Sequence, residues 1–303
     1  MRERLGTAAI VVFIIVDVVL VTLAFRHSNP AVPPEPQRGS PSATGTPSTT
    51  GESPSTDPAP AGAGSNQPLF LAAAENGALL RATRGSCQRD LQPVVEASTD
   101  DGRSFDRVRV AADLSEVLRV QADSADALSL VGADGSCEVG TYTGAVDDRT
   151  WDLDSGTAGQ WHLLPDPDQA GVHAMSIVVE TPCTPVGLSV VRGGGPRVLC
   201  DTGSIIGTAD QGQSWVALGR LDGAAAISYA SPGDGYALAA QRRCPAAVLQ
   251  TSDGGTTWER LTCLPGDQPR ALAAEGSFLA AQVGDAVHVS HDGGQSWTSH
   301  PPN

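Results

Sequence analysis

One eight-residue phrase occurs four times in this chain, and it constrains the fold more than any other feature. Ser98-Thr99-Asp100-Asp101-Gly102-Arg103-Ser104-Phe105 is the first copy. Thr208-Ala209-Asp210-Gln211-Gly212-Gln213-Ser214-Trp215 is the second. The third runs from Thr251 to Trp258 and the fourth from Ser290 to Trp297. All four follow one rule: Ser/Thr, any residue, Asp, any, Gly, any, Ser/Thr, then Trp or Phe. The last three copies begin 43 and 39 residues apart.

The residue types fit a turn between two strands. Val198-Leu199 and Ile205-Ile206 precede the second copy, and Val216-Ala217-Leu218 follows it. Gly102, Gly212, Gly255 and Gly294 at the fifth position permit positive φ. The Asp and Ser/Thr side chains can bond backbone N–H groups within the turn. Phe105, Trp215, Trp258 and Trp297 supply a large apolar anchor between neighbouring sheets. Asp100, Asp210, Asp253 and Asp292 are therefore read as braces of four equivalent turns, because a catalytic acid or metal ligand is needed once and a brace in every repeat. A period near 40 with one such phrase per unit is the pattern of a β-propeller.

On these residues the chain resembles the Asp-box (BNR) repeat propellers: sialidases, sortilin-type receptors and photosystem-assembly-type repeats. The resemblance covers about residues 69–303. It implies an all-β propeller in which the box is structural and lies away from any sialidase active site. It does not fix the function, since propellers host many activities.

Strand counting refines the expectation. Four blades read as Leu69–Ala73 to Phe105–Val110, Gly187–Val191 to Trp215–Leu218, Ala224–Tyr229 to Trp258–Leu261, and Arg270–Ala274 to Trp297–Ser299. A degenerate blade spans Val117–Gln121 to Thr150–Leu153, with Thr150-Trp151 keeping only the end of a box. That gives five countable blades. Residues 158–184 are surplus, either an insertion or a worn sixth blade, and seven blades are not excluded.

Two segments precede the propeller (68–303). Leu5 through Phe25 is an almost unbroken apolar run with Asp17 its only charge. About 20 apolar residues span a bilayer, and Arg2 and Arg4 in front favour the N-terminus inside. Thr22-Leu23-Ala24 is a poor cleavage site for a signal peptide. Residues 1–27 are thus expected to be a retained signal anchor. Asp17 costs ~2.5–3.5 kcal/mol at mid-membrane, which the surrounding Val, Ile and Leu offset. Residues 28–67 are rich in Pro, Ser, Thr, Gly and Ala and should be a disordered tether. Fully extended it reaches roughly 120 Å. The propeller is accordingly expected on the extracytoplasmic side of the cell membrane.

Charge narrows the partners. The formal net charge is −15, so nucleic acid is not an expected partner. All 19 basic residues are Arg, the codon bias of a GC-rich, actinobacterium-like source. Six Cys in an oxidising compartment suggest three disulfides. Antiparallel strand adjacency selects Cys183–Cys200 and Cys244–Cys263, and a shared rim selects Cys87–Cys137. No Cys-x-x-Cys pair exists, which argues against zinc. No metal or cofactor is expected.

A catalytic search finds little. The three Tyr, Tyr142, Tyr229 and Tyr236, lie in no sialidase context, and the Arg-Ile-Pro signature is absent. There is no Gly-x-Ser-x-Gly elbow, His-Glu-x-x-His or phosphate loop. His162, His173, His288, His291 and His300 show no paired metal spacing and are expected at surfaces or turns. Arg242-Arg243 beside Tyr236 are candidates for a polar pocket at the rim, and Trp161 for an exposed binding aromatic. The expected function is a non-catalytic binding or scaffold module for an envelope protein or glycan. The alternative is a sialidase-like or other glycoside hydrolase with divergent residues.

Overall fold

The computed structural model describes residues 67–301, apart from Asp90 and residues 111–112, 125–126, 155–160, 166–168, 175–176 and 192–194. The described residues form one compact unit. The anchor expected at 1–27 and the tether expected at 28–67, up to residue 66, lie outside the described residues. Among the described residues no helix is long and apolar enough to cross a membrane.

Six sheets, antiparallel except for one edge pair, follow one another along the chain. Blade 1 holds β1 (Leu69–Ala73), β2 (Leu79–Thr83), β3 (Val95–Ser98) and β4 (Asp106–Arg107). Blade 2 starts at its outer edge with β5 (Arg109–Val110), then β6 (Leu114–Ala122), β7 (Ala127–Asp134), β8 (Val139–Ala145) and β9 (Thr150–Asp154). Blade 3 has three described strands: β10 (His162–Leu163), β11 (Gly171–Ala174) and β12 (Ile177–Glu180). Blade 4 is β13 (Pro185–Val190), β14 (Pro196–Cys200), β15 (Ser204–Gly207) and β16 (Val216–Arg220). Blade 5 is β17 (Ala224–Tyr229), β18 (Gly235–Gln241), β19 (Cys244–Thr251) and β20 (Glu259–Cys263). Blade 6 is β21 (Pro269–Glu275), β22 (Phe278–Val283), β23 (Ala286–Ser290) and β24 (Thr298–His300).

The innermost strands form a closed ring. β1 lies against β6, β6 against β10, and β10 against β13. The series continues through β17 and β21, and β21 returns to β1. The protein is a six-bladed β-propeller. In blades 1, 4, 5 and 6 the strands run from the channel outward in chain order, and each of the four boxes lies between the third and fourth strands of its blade, on one face. The turns between second and third strands, and the links between blades, fall on the other.

The blades stack face to face, so their strands bury both sides and lose the half-polar alternation of an open sheet. β22 shows the consequence, with all six residues buried. Phe278 and Ala280 join one core with Val287, Val289 and Leu79 of blade 1. Leu279, Ala281 and Val283 join another with Leu238 and Val248 of blade 5. Each such core fills the space between two blades. Trp151, fully buried on β9, plays this part between blades 1 and 2 without a box in front of it.

One open alternative is decided and one reading needs correction. Of the two readings of residues 158–184, the worn sixth blade holds: their described strands form blade 3. Among the described residues that blade has no fourth strand, so it has no place for a box, and a count of boxes and four-strand sets passes over it. The run Phe105–Val110 is not one strand. It breaks at Val108, and β5 crosses to pair parallel with β9 of blade 2, Arg109 opposite Thr150.

Three disulfides join Cys87 to Cys137, Cys183 to Cys200, and Cys244 to Cys263. These are the pairs expected from strand adjacency and the shared rim. All six cysteines sit on the face opposite the boxes.

Candidate functional site

Each box closes on itself through one carboxylate and one hydroxyl. In the third copy, Asp253 Oδ1 accepts from Thr251 Oγ1 at 2.8 Å and from the Thr257 N–H at 2.9 Å. Its Oδ2 accepts from Thr257 Oγ1 at 2.7 Å. Thr251 Oγ1 in turn accepts the Gly255 N–H at 2.9 Å. Asp100, Asp210 and Asp292 repeat this set with Ser98 and Ser104, Thr208 and Ser214, and Ser290 and Ser296. The first-position hydroxyl is buried every time, with Ser98, Thr208, Thr251 and Ser290 at most 3% exposed. φ is positive at the fifth position and also at the fourth, where Asp101 and Gln211 adopt 60° and 61°.

These bonds lower the carboxyl pKa values, because every donor stabilises the charged form. Asp210 is held at about 2, first by the Ser214 hydroxyl and then by its N–H. Asp253 is held at about 2, first by the Thr257 N–H. Asp292 is at about 2, chiefly through the Ser296 hydroxyl. At Asp100, burial pushes upward, but the bonds from Ser104 and Ser98 outweigh it and the net shift is down. A carboxylate of this kind is a poor proton donor near neutrality.

The box aromatics anchor neighbouring elements. The indole N–H groups of Trp258 and Trp297 bond the carbonyls of Gly255 and Gly294, both at 3.0 Å. Trp215 instead reaches the Glu180 carbonyl on the edge of blade 3, at 2.9 Å. Phe105 carries the Arg81 guanidinium 3.8 Å above its ring.

Arg242, Arg243 and Tyr236 are not brought together. Tyr236 is 8% exposed at the box-face end of β18, while Arg242 and Arg243 lie exposed in the β18–β19 turn on the disulfide face. The separation follows from the seven-residue length of β18. Trp161 is only partly exposed. It packs into the core between blades 3 and 4, its ring edge-on to Trp215 at 6.3 Å.

The tyrosines are buried. Tyr229 is 5% exposed, bonds the Gly254 carbonyl at 3.3 Å, and is pushed up to about 12, first by burial. Burial likewise raises Tyr142 and Tyr236. Two histidines expected at the surface are buried because both faces of their strands are covered. His162 is 5% exposed and stacks on His173 at 4.5 Å, and His288 is 1% exposed and meets Ser299 Oγ at 2.8 Å. Among the described residues no group of three or more His, Cys, Asp or Glu could hold a metal ion.

The principal cavity is the central channel of the ring, about 780 Å³. Its wall is formed by β1, the second half of β6, β13, β17 and β21. Inner strands pair on one side only, so their free backbone edges face the channel. Ser189 and Ser228 stitch the wall: Ser189 Oγ accepts the Tyr229 N–H at 2.8 Å, and Ser228 Oγ the Ala274 N–H at 3.1 Å. Tyr229 contributes to the wall, but its hydroxyl is committed to the neighbouring box.

Arg119 and Arg270 also line the channel, and sequence reading missed both. Arg119 Nη1 donates to the Trp161 carbonyl at 3.1 Å, and Nη2 donates to Gln121. Gln121 donates onward to Asp123. Residues 119, 121 and 123 are alternate positions of one strand and its end, hence one side. Burial draws the Arg119 pKa down to about 10, with Asp123 opposing, so the group stays charged at neutral pH. Arg270 Nη2 bonds the Gln67 carbonyl at 2.9 Å. The available signal was two polar residues, Arg119 and Gln121, alternating within the apolar run Val117–Ala122.

No family model matches the chain, and no curated protein matches it. Solved structures resemble it as folds. A YCF48 structure with a bound D1 peptide is 21% identical, covering 41% of this chain and 42% of that one, with TM-score 0.33. The chain thus spans less than half the length of that relative. YCF48 from Cyanidioschyzon merolae is 12% identical over 80% of this chain and 87% of that one, TM-score 0.44. A catalytically inactive virginiamycin B lyase from Staphylococcus aureus with quinupristin is 9% identical over 78% and 84%, TM-score 0.44.

Proposed function

We propose that this protein is a non-catalytic binding or scaffold module of the cell envelope: an Asp-box-type propeller held outside the membrane by residues 5–25 and the tether 28–67. One observation carries the reading. The repeated acidic groups are all saturated by donors of their own turns, so the feature that dominates the sequence is committed to architecture. A sialidase needs a reachable Tyr nucleophile, and Tyr142, Tyr229 and Tyr236 are at most 8% exposed. The partner is an envelope protein or glycan.

Affinity capture tests this. The soluble domain, residues 66–303, is immobilised and exposed to envelope extract, with residues 28–67 as the control bait. A component retained saturably by the domain and not by the control is expected. Equal retention by both baits would count against the reading. Intact mass spectrometry of the mature protein tests the anchor: residues 1–27 should remain, and a new N-terminus near Phe25 would overturn retention.

A further inference from the structure

The geometry points to the central channel as a receptor for a carboxylate group, with the Arg119 guanidinium as its anchor. The inference rests on the binding-module reading and names the chemistry of the bound group.

Arg119 is a partly buried cation on the channel wall with no direct ion pair among the described residues. The ion pairs there are Arg81–Glu96, Arg84–Glu116, Arg103–Asp101, Arg220–Asp222 and His291–Asp101, and none involves Arg119 or Arg270. Asp123 is reached only through Gln121, so the cost of partly desolvating the guanidinium is not offset by an opposite charge in contact. The cost is relieved when an anion binds beside it. Two of the five guanidinium donors are committed, to Trp161 and Gln121, which fixes the plane of the fork. Three remain uncommitted to any described residue, and a planar fork fits a carboxylate through two parallel bonds.

The rest of the wall supports an anion. Ser189 and Ser228 accept backbone N–H groups, and each keeps its own hydroxyl proton to donate. Arg270 adds a second cation. Glu275, at the end of β21, is the one carboxylate among the lining residues. The channel wall is thus net positive inside a protein of formal charge −15. Its volume falls within the ~300–1,000 Å³ usual for ligand sites. The channel also runs parallel to its wall strands, whose free edges offer N–H and C=O groups to an extended ligand. A carboxylate can come from a peptide C-terminus or from an acidic sugar, and the test separates them.

Saturation-transfer NMR is measured on the full-length chain in lipid nanodiscs. The probes are tetra-alanine with a free C-terminal carboxylate, the same peptide as its C-terminal amide, N-acetylneuraminate and inorganic phosphate. Binding of at least one carboxylate probe is expected, weakened about tenfold or more in R119Q, as loss of a charge-assisted fork requires. The tighter of tetra-alanine and N-acetylneuraminate identifies the source. If the peptide is the tighter, its amide should be weaker by a similar factor. The proposal is overturned if neither carboxylate binds, if phosphate binds more tightly than both, or if folded R119Q binds as the unaltered chain does. Should R119Q fail to fold, R119K replaces it: the charge without the fork should bind measurably more weakly, and equal binding overturns the fork. Failure of the probes while an envelope component is still captured removes the channel assignment alone. Saturable cleavage of a sialoside would remove the binding-module reading instead.

Discussion

Asp253 accepts three hydrogen bonds within its own turn, Asp210 does the same, and Asp292 adds a fourth from the Gln295 N–H. Asp253→Ala leaves the buried Thr251 hydroxyl and the Thr257 N–H without their acceptor. Each of Asp210→Ala, Asp253→Ala and Asp292→Ala should lower the melting temperature by about 2–4 °C, as expected for a domain of this size. Calorimetry of the three variants side by side checks this, and near-equal shifts are expected because the turns are equivalent. Acid acts on the same groups. Their folded pKa values of about 2 lie below the ordinary 3.8, so their contribution is fully present above pH ~4 and is lost as pH falls through about 2. A thermal-melt series from pH 5 to about 2 should show the midpoint falling across that window, with a shallower fall in Asp253→Ala. At this scale the sequence was readable: Asp, Gly and the hydroxyls sit where turn chemistry predicts. The positive φ at Asp101 and Gln211 was signalled only by the other two copies, where the same position is Gly254 and Gly293.

Between elements, the disulfides and blade 3 decide how firmly the sheets are held. Cys183–Cys200 and Cys244–Cys263 each clip strands within one blade across 17 and 19 residues, whereas Cys87–Cys137 ties blade 1 to blade 2 across 50. Chain-entropy reasoning gives about 3 kcal/mol for each short loop and about 4 for the long one. Paired Cys→Ala variants should therefore rank with Cys87/Cys137 as the most destabilising, read from urea midpoints. The two local pairs were legible because they follow from antiparallel neighbours alone. Blade 3 was not: β10 has two residues, β12 exposes Ile177 and Val178, and a box is missing. Its strands are too short to announce themselves, and only the closed ring shows that they are a blade.

For the whole molecule, closure of the ring is the main structural fact. Blades 1 and 6 share no strand. They are joined by side-chain packing, by Arg270 on Gln67 and by Arg81 on Gln282. On the disulfide face, Arg84 bonds Glu116 of blade 2 at 2.8 Å and the Leu164 carbonyl of blade 3 at 2.7 Å, linking three blades. Glu116 is 1% exposed, so Arg84→Ala would leave a buried, unpaired carboxylate at a cost of about 3–5 kcal/mol. Equilibrium unfolding of that variant should show such a loss, and E116Q/R84M together should recover part of it. The repeat made the propeller legible, and the channel was not, because Arg119, Ser189, Ser228 and Arg270 belong to four different blades and meet only when the ring closes. The most direct test of the central claim is a turnover assay of the purified domain on sialosides and aryl glycosides. The account predicts no saturable hydrolysis. Saturable hydrolysis that is lost on mutating Tyr229 or Tyr236 would contradict it and make the protein a glycosidase.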